Sequence, residues 1–344
     1  MFKLRTALLW LSFSVTIFSA SSVLHTADWM KDNIGWLGER TLKEICLPGT
    51  HNSGMSKLFG GTSFAKPCNT NNQSRNIRRQ LELGIRFFDV RPVISGGVYK
   101  AGHYSKALGA TWQGGNGHTI ESIVNNINAF TKKHHELIII RLSHTLNTDL
   151  GNSNFRPFNV EEWNKVLEIL DKTENLYASS EDAYLPITPL DDFIKNGTQA
   201  AVVYVIDDEK GCNLGRRIGK GFFYQYGLRL FDQYSNTDKL PVMANDQIDK
   251  MKKMSRLRYF LLSWTLTQNA FDVAACPRLG NSIANLAMKA NIALNSLLSH
   301  VTKIAYPNII SVDYVQSTNV TEIAMTINLK WLSERVLELN NYFN

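Results

Sequence analysis

Two histidines, two aspartates and one arginine lie close to the ends of short apolar runs in this sequence. His51 follows the apolar part of EICLPGTHNSG, and His103 lies in VYKAGHYS. Asp89 and Arg91 are two residues apart in GIRFFDVRP, so their side chains share one face of a strand. Asp313 lies near the end of NIISVDYVQ. The ends of parallel barrel strands converge on one rim, where these five side chains would share a pocket.

Such a set of side chains suits the cleavage of a phosphodiester. One imidazole can take a proton while the other gives one. A guanidinium holds phosphate oxygens at two points and stabilises the charge that is spread over them. A carboxylate behind a histidine selects its tautomer and supports its protonated form. The residue types therefore predict in-line attack on a phosphodiester.

Short apolar segments alternate with amphipathic helical patterns along the chain, which predicts an α/β fold with a single irregular TIM (β/α) barrel. The predicted strands are Lys43–Leu47, Ile85–Val93, Val98–His103, Leu137–Ser143, Ala200–Ile206, Tyr259–Leu266 and Asn308–Val315, with a weaker one at Gly221–Tyr226. The predicted helices are Thr119–Lys133, Asn159–Leu170, 281–300 and 321–339. Two polar stretches, Phe59–Asn76 and Asp207–Lys220, are predicted to be long loops.

The first 21 of the 344 residues have the features of a secretory signal peptide. Lys3 and Arg5 precede an apolar run of 14 residues, which is too short to span a bilayer comfortably. We therefore expect a secreted, extracellular protein with one domain over 22–344. Loss of the two charges lowers the formal net charge from +7 to +5, and no basic block indicates nucleic-acid binding.

An extracellular location also bears on the cysteines and on glycosylation. Four cysteines in a secreted chain predict disulfides, with three pairings possible, so we expect no free thiol. Three sequons are compatible with glycosylation in a eukaryotic host. The cysteines are Cys46, Cys68, Cys212 and Cys276, and the sequons begin at Asn72, Asn196 and Asn319.

The motifs LPGTHNSG, LGIRFFDVRP, AGHYS and ELIIIRLSH resemble the X domain of phosphatidylinositol-specific phospholipase C, in its single-domain secreted or bacterial type. The resemblance is strongest over 36–144, and the strand with Asp313 extends it. It implies an irregular TIM barrel that splits phosphatidylinositol into diacylglycerol and inositol 1,2-cyclic phosphate. The expected partner is a phosphatidylinositol-type lipid, met by a monomer through peripheral contact with a membrane.

The resemblance also implies a role for each member of the set. His51 resembles the general base that deprotonates the inositol 2-hydroxyl, and Asp313 resembles the carboxylate behind it. His103 resembles the general acid that protonates the diacylglycerol oxygen. Arg91 resembles the arginine that holds the phosphate in metal-free bacterial enzymes. Asp89 is expected to position Arg91 or the inositol.

Four further residues are candidates for substrate binding, namely Asn52, His144, Ser263 and Trp264. For Ser263 and Trp264, burial within a strand is an equally good interpretation. Asn52 stands where metal-free bacterial members have Asp and where calcium-dependent members have a ligand Asn. Calcium-dependent members also have an acidic residue at the position of Arg91, and a guanidinium offers no oxygen to calcium. We therefore expect no cofactor, and less carboxylate support for the general acid.

Two other functions remain open from the sequence. A glycerophosphodiester phosphodiesterase-like enzyme would also be a barrel with two histidines, but it needs a cluster of acidic metal ligands. A secreted X-domain protein could bind inositol lipids or glycans without turnover. Retention of both histidines favours an enzyme over such a binding protein.

Overall fold

The computed structural model describes residues 25–107, 111–151, 153–180, 183–207 and 211–330. The predicted signal peptide lies outside the described residues, as does the last part of the predicted helix 321–339. No helix of the described ranges is both long and apolar enough to cross a membrane.

Twelve strands occur in the described residues. In chain order they are β1 (Leu47–Thr50), β2 (Phe87–Val90), β3 (Pro92–Ser95), β4 (Val98–Ala107), β5 (Thr111–Thr119), β6 (Leu137–Leu142), β7 (Leu146–Asn147), β8 (Ala201–Ile206), β9 (Phe222–Tyr224), β10 (Leu230–Asp232), β11 (Tyr259–Ser263) and β12 (Ile309–Val312). Eight of them form one curled parallel sheet in the order β10-β11-β12-β1-β2-β6-β8-β9. Among the described residues no pairing joins β9 to β10, so the barrel is open between these strands.

Helices cover the outside of this sheet and one end of it. They are α1 (Trp29–Asp32), α2 (Ile34–Leu37), α3 (Pro67–Thr70), α4 (Ile77–Glu82), α5 (Ile120–Thr131), α6 (Val160–Leu170), α7 (Leu190–Ile194), α8 (Leu240–Met254), α9 (Ala270–Ala275), α10 (Ile283–Ala293) and the described part of α11, 320–330. The helices predicted at Thr119 and Asn159 are confirmed. Each begins after that residue, whose side chain accepts a hydrogen bond from the backbone N–H three positions on.

Side chains along the barrel strands alternate between the helix layer and the barrel interior, with the period of two of a pleated strand. On seven of the eight strands the inward face carries a buried apolar residue below the mouth: Leu47, Phe87, Ile139, Val205, Leu230, Leu261 and Ile309. Two or four residues later the same face becomes polar: His51, Asp89, Arg141, Asp207, Asp232, Ser263 and Asp313. The barrel therefore has an apolar floor and a charged mouth at the carboxyl ends of its strands.

A second sheet lies beside the mouth, in the order β5-β4-β3-β7. The segment from Val98 to His103 was predicted as a parallel barrel strand, and this is wrong because β4 pairs antiparallel with both β3 and β5. The connection from β3 to β4 is only Gly96 and Gly97, both at positive φ. A two-residue turn of this kind makes a hairpin, whereas parallel neighbours need a long crossover.

Strand boundaries also differ from the predicted ones. β1 begins at Leu47 rather than Lys43, because Leu42–Glu44 forms a 3-10 turn that Thr41 and Glu44 cap reciprocally. His51 therefore follows the strand directly. The weakly predicted strand at Gly221–Tyr226 is confirmed as β9, whereas β3, β5, β7 and β10 were not predicted as separate strands.

One disulfide, Cys68–Cys276, joins residues 208 positions apart. The expectation that all four cysteines are oxidised is wrong, because Cys46 and Cys212 are buried and lie outside that bond. Burial raises the pKa of the Cys46 thiol, since a thiolate is costly to desolvate. Both side chains therefore act as small apolar groups of the core.

The sequon at Asn72 is closed to a glycan in the folded protein. Asn72 is 2% exposed, and its amide nitrogen donates to the Asp313 carboxylate at 3.1 Å. Asn196 and Asn319 are exposed, and glycosylation at these two positions stays a prediction.

The cysteine arrangement predicts the result of thiol labelling. Alkylation of the secreted protein should label no cysteine in the native state, because the two thiols are buried. Denaturation without reductant should expose two, Cys46 and Cys212, and prior reduction should expose four. Mass spectrometry of the alkylated peptides measures each count. In the denatured protein without reductant, four labelled cysteines, or none, would contradict this pairing.

Candidate active site

The first feature of the site is a hydrogen-bonded chain across three neighbouring strand ends. β1 lies between β12 and β2 in the sheet, so His51 stands between Asp313 and Arg91. His51 Nδ1 is 2.9 Å from Asp313 Oδ1, and its Nε2 is 2.9 Å from Arg91 Nη2. A carboxylate only accepts and a guanidinium only donates. His51 therefore has its proton on Nδ1 and a lone pair on Nε2, facing Arg91.

Arg91 is the second feature, and three partners hold it. Its Nε donates to Asp89 Oδ2 at 3.2 Å, and its Nη2 also donates to the Tyr234 hydroxyl at 3.1 Å. Burial alone would lower the pKa of Arg91, but Asp89, Tyr234 and Asp232 together hold it above the ordinary value. The guanidinium therefore stays charged, and its Nη2 N–H points towards His51.

Asp89 is the buried acceptor beneath these groups. It is 3% exposed and accepts from the Asn52 backbone N–H at 3.2 Å, the Ser143 hydroxyl at 3.1 Å and Arg91. Burial alone would raise the pKa of Asp89, but the charges of Arg91 and Arg141 hold it below its ordinary range. Asp89 is therefore ionised and positions Arg91, which is one of the two roles expected of it.

His103 reaches the site from the second sheet rather than from a barrel strand. Its ring centroid is 6.5 Å from that of His51, and its Nδ1 is 3.1 Å from the Thr70 carbonyl oxygen. A carbonyl only accepts, so Nδ1 donates. Burial, then the charges of Arg91 and His51, lowers the pKa of His103 to about 4. Two imidazoles thus lie near each other and near one guanidinium, and Nε2 is in each the nitrogen that can exchange a proton.

Gly102 lets β4 lie close enough to deliver His103. A Cβ at this position would stand 2.4 Å from Val93 Cγ1 on β3, a distance that real side chains do not tolerate. The glycine before His103 is therefore required by the close approach of the two strands.

Asn52 does not line the opening, although it was expected to bind substrate. It is 1% exposed with φ at +44°, a backbone region that asparagine tolerates better than most residues. Its Nδ2 donates to Asn72 Oδ1 at 3.1 Å, and Asn72 in turn donates to Asp313. Asn52 therefore contributes, through Asn72, to holding Asp313, the hydrogen-bond partner of His51.

His144, Ser263 and Trp264 have three different environments. His144 is exposed beside a cavity of about 180 Å³, which Arg91 also lines. Ser263 is buried at the mouth and donates to Asp232 Oδ1 at 2.9 Å. Trp264 is fully buried and donates to the Ala290 carbonyl at 2.8 Å, so its predicted contact with substrate is wrong. The reason is strand periodicity, which turns residue 264 towards the helices when residue 263 faces the interior.

Several polar residues of the mouth were not predicted from the sequence. Arg141 forms ion pairs with Asp207 and Asp232, and the Tyr234 ring lies 5.3 Å from the His51 ring between centroids. An arginine within the apolar run LIIIRLS was a usable signal, because a charge on a buried strand needs partners. Asp232 and Tyr234 had no such signal, since the three-residue strand β10 was itself missed.

The described residues include no group of three or more His, Cys, Asp or Glu side chains placed to hold a metal ion. Asp89 forms an ion pair with the Arg91 guanidinium, so this carboxylate already has a cationic partner.

Comparison with known proteins gives one family and a set of similar folds. The model of the PI-PLC X family matches residues 37–328. The phosphatidylinositol-specific phospholipase C of Staphylococcus aureus, as an F249X mutant, has a TM-score of 0.58 at 16% identity over 87% of this chain and 97% of that one. The Listeria monocytogenes enzyme has 0.54 at 16% identity, over 87% and 98%. A further Staphylococcus structure, from work on modulation of membrane binding, has 0.58 at 17% identity, over 87% and 97%. A search of curated proteins found no match.

The environment of His103 predicts its titration. The groups that face the ring are Arg91, His51, Asp313 and the Thr70 carbonyl. Because burial and the Arg91 guanidinium penalise the imidazolium, the ring should stay neutral until the pH falls to about 4. NMR of the ring C–H signals against pH measures this directly. Arg91→Ala should raise the pKa of His103, since it removes the guanidinium charge.

The matched control is Arg217→Ala, because that guanidinium pairs with Asp171 instead. The titration of His103 in this variant should match that of the wild type. A midpoint near the ordinary histidine value in the wild type would contradict the assignment.

Proposed function

We propose that this chain, which belongs to the PI-PLC X-domain family, is an active phosphodiesterase that cleaves phosphatidylinositol-type lipids to diacylglycerol and inositol cyclic phosphate. The fold is that of the bacterial phosphatidylinositol-specific phospholipases C. One observation supports the proposal most: His51 contacts Arg91 through Nε2 and lies 6.5 Å from His103 between ring centroids, with Asp313 bonded to its other nitrogen.

The base in this mechanism is His51. Its Nε2 lone pair takes the proton of the inositol 2-hydroxyl, and the oxygen then attacks phosphorus. The Asp313 carboxylate accepts a hydrogen bond from the Nδ1–H group throughout, so it stabilises the imidazolium that forms. In the ligand-free protein Arg91 donates a hydrogen bond to the Nε2 lone pair of His51. The phosphate of the substrate is a stronger acceptor, so the guanidinium bonds to the phosphate instead and leaves Nε2 free.

Arg91 binds the phosphate, because a guanidinium offers two parallel donors to two phosphate oxygens. Asp89 holds its Nε and keeps the fork oriented. The positive charge of the Arg91 guanidinium also stabilises the additional negative charge of the phosphorane-like transition state. Calcium beside this guanidinium would be repelled in a partly desolvated cleft, so we propose a metal-free reaction.

The acid is His103, whose Nε2 gives a proton to the departing diacylglycerol oxygen. Its lowered pKa keeps it neutral in the empty site. The phosphodiester anion offsets the charge of Arg91 on binding, and this raises the affinity of the imidazole for a proton. Substrate binding thus prepares the acid for the step in which it is needed.

The alternatives fit the site less well. A glycerophosphodiester phosphodiesterase-like reaction would need a cluster of acidic metal ligands, and the described residues contain none. A lipid- or glycan-binding protein without turnover would have no use for an aligned carboxylate, imidazole and guanidinium.

Contact with the membrane is proposed for an apolar rim beside His103. We use that name for Phe64, Phe271, Val273 and Leu279, which are 42–82% exposed. Phe64 precedes α3, the other three lie in or just after α9, and the Cys68–Cys276 disulfide joins the two segments. The exposed cations Lys66 and Arg278 flank the rim. Apolar side chains with adjacent positive charge suit the interface of an anionic bilayer.

The catalytic assignment predicts large, specific losses of rate. His51→Ala and His103→Ala should each lower kcat on phosphatidylinositol vesicles by about 10²–10⁴ while unfolding temperatures change little. Arg91→Ala should lose a similar factor, and Arg91→Lys should recover only part, because a point charge cannot form the two-point contact. Activity should persist in excess EDTA, and phosphorus NMR should show a cyclic phosphate.

His135→Ala is the matched control, because that histidine donates to the Gly197 carbonyl away from the site. It should retain wild-type activity. Near-normal turnover by either site histidine variant would remove that residue from the mechanism, and a requirement for added calcium would refute the role of Arg91.

The rim predicts a separable effect on membranes. Phe271→Ser or Leu279→Ser should lower partitioning onto anionic vesicles by about tenfold each, because less apolar surface leaves water. Turnover of a soluble short-chain substrate should not change. Ile187→Ser is the control, since Ile187 is 65% exposed near the opposite end of the barrel. Equal loss of partitioning in all three variants would refute a specific role of the rim in membrane binding.

A further inference from the structure

This inference rests on the proposed function and concerns what holds the general acid. We propose that the Cys68–Cys276 disulfide positions His103 by fixing the short turn that ends at Thr70. The Thr70 carbonyl accepts a hydrogen bond from the Nδ1–H group of His103. Cys68 and Cys276 are thus positioning residues for the reaction, two steps removed from the substrate.

The turn in question has little stability of its own. α3 is a single turn of four residues, Pro67–Thr70, in the stretch between β1 and α4. One helical turn costs more conformational entropy than its hydrogen bonds return. Its position must therefore be set by contacts with the rest of the protein.

One set of polar contacts links α3 to the segment after β11, which includes α9. Asn69 Nδ2 donates to the Val273 carbonyl at 3.2 Å, and Gln268 Nε2 donates to the Cys68 carbonyl at 3.3 Å. Lys66 Nζ reaches the Cys276 carbonyl at 3.4 Å. These bonds are long or solvent-exposed, whereas the disulfide is covalent and has its Cα atoms 6.1 Å apart. The disulfide therefore adds a covalent constraint to the packing of α3 against β5 and α10.

The carbonyl matters because it selects which nitrogen of His103 reacts. Donation from Nδ1 leaves Nε2 to carry the catalytic proton and sets the plane of the ring. Asn52, the other candidate for this role, instead donates to Asn72, and its Oδ1 accepts no hydrogen bond from the described residues. The orientation of His103 thus depends on a backbone group rather than on a neighbouring side chain.

Removal of the crosslink should let the carbonyl move relative to the ring. A displacement of about 1 Å in a catalytic group can cost on the order of 10²-fold in rate. The loss should appear only in the step that needs an acid, since His51, Arg91 and Asp313 are held by the barrel strands.

The test compares the Cys68→Ser/Cys276→Ser double variant with wild type on two soluble inositol phosphodiesters. One has an alkyl alcohol as leaving group and the other has p-nitrophenol. An alkoxide needs a proton to leave, whereas the nitrophenoxide leaves without one. We expect kcat to fall about tenfold or more for the alkyl ester and to stay within about twofold for the aryl ester. Soluble substrates keep the rim out of the comparison.

Cys212→Ser is the matched control, because it removes a buried thiol and leaves the disulfide in place. Thermal unfolding checks that each variant is folded. If the double variant is unfolded, wild-type protein reduced by a phosphine takes its place, and reoxidation should restore the rate. An equal loss on both esters would show a merely structural role, and no loss on either would show no role. Each result would overturn the inference.

A second readout does not depend on activity. Long-range proton–nitrogen NMR of neutral His103 should show the Nδ1–H tautomer in the oxidised protein and a mixture of tautomers in the double variant. An unchanged single tautomer would overturn the positioning role. If wild type cleaves neither ester, the proposed function fails, and this measurement still decides the inference separately.

Discussion

The buried carboxylate of Asp89 is the constraint on which the site depends. A charge removed from water must be paired, and Asp89 is paired by groups from three neighbouring strand ends. The Asn52 N–H comes from the end of β1, Arg91 from the end of β2 and Ser143 from the end of β6. Those bonds set the orientation of Arg91, and Arg91 in turn contacts His51. One buried charge therefore aligns the Arg91 guanidinium with the His51 imidazole.

Other charged side chains at the mouth of the barrel are also buried and paired. Arg141 is nearly buried between Asp207 and Asp232, an arrangement whose desolvation cost makes it weak support for stability. Such a network is better explained by function, because it lines the interior next to Tyr234 and Arg91 with oriented charges. The apolar floor beneath provides the stability that the charged mouth does not.

The two histidines of the site have different structural origins. His51 and Asp313 belong to the barrel, whereas His103 comes from a β-hairpin of the second sheet. The carbonyl that His103 contacts belongs to a third segment, which a disulfide links to the segment after β11. The position of His103 therefore depends on different contacts from that of His51, and the segment beside His103 also forms the rim proposed to meet the membrane.

The sequence by itself determined the barrel and the group formed by His51, Asp89, Arg91 and Asp313. These residues follow local rules: strand periodicity puts Asp89 and Arg91 on one face, and parallel strands bring their ends together. Only the tertiary structure decided what depends on distant partners. It reversed the strand of His103, buried Trp264, chose Cys68–Cys276 from the possible pairings, and brought Tyr234 to His51. Strand direction and disulfide pairing depend on contacts between segments far apart in the chain, which no local pattern encodes.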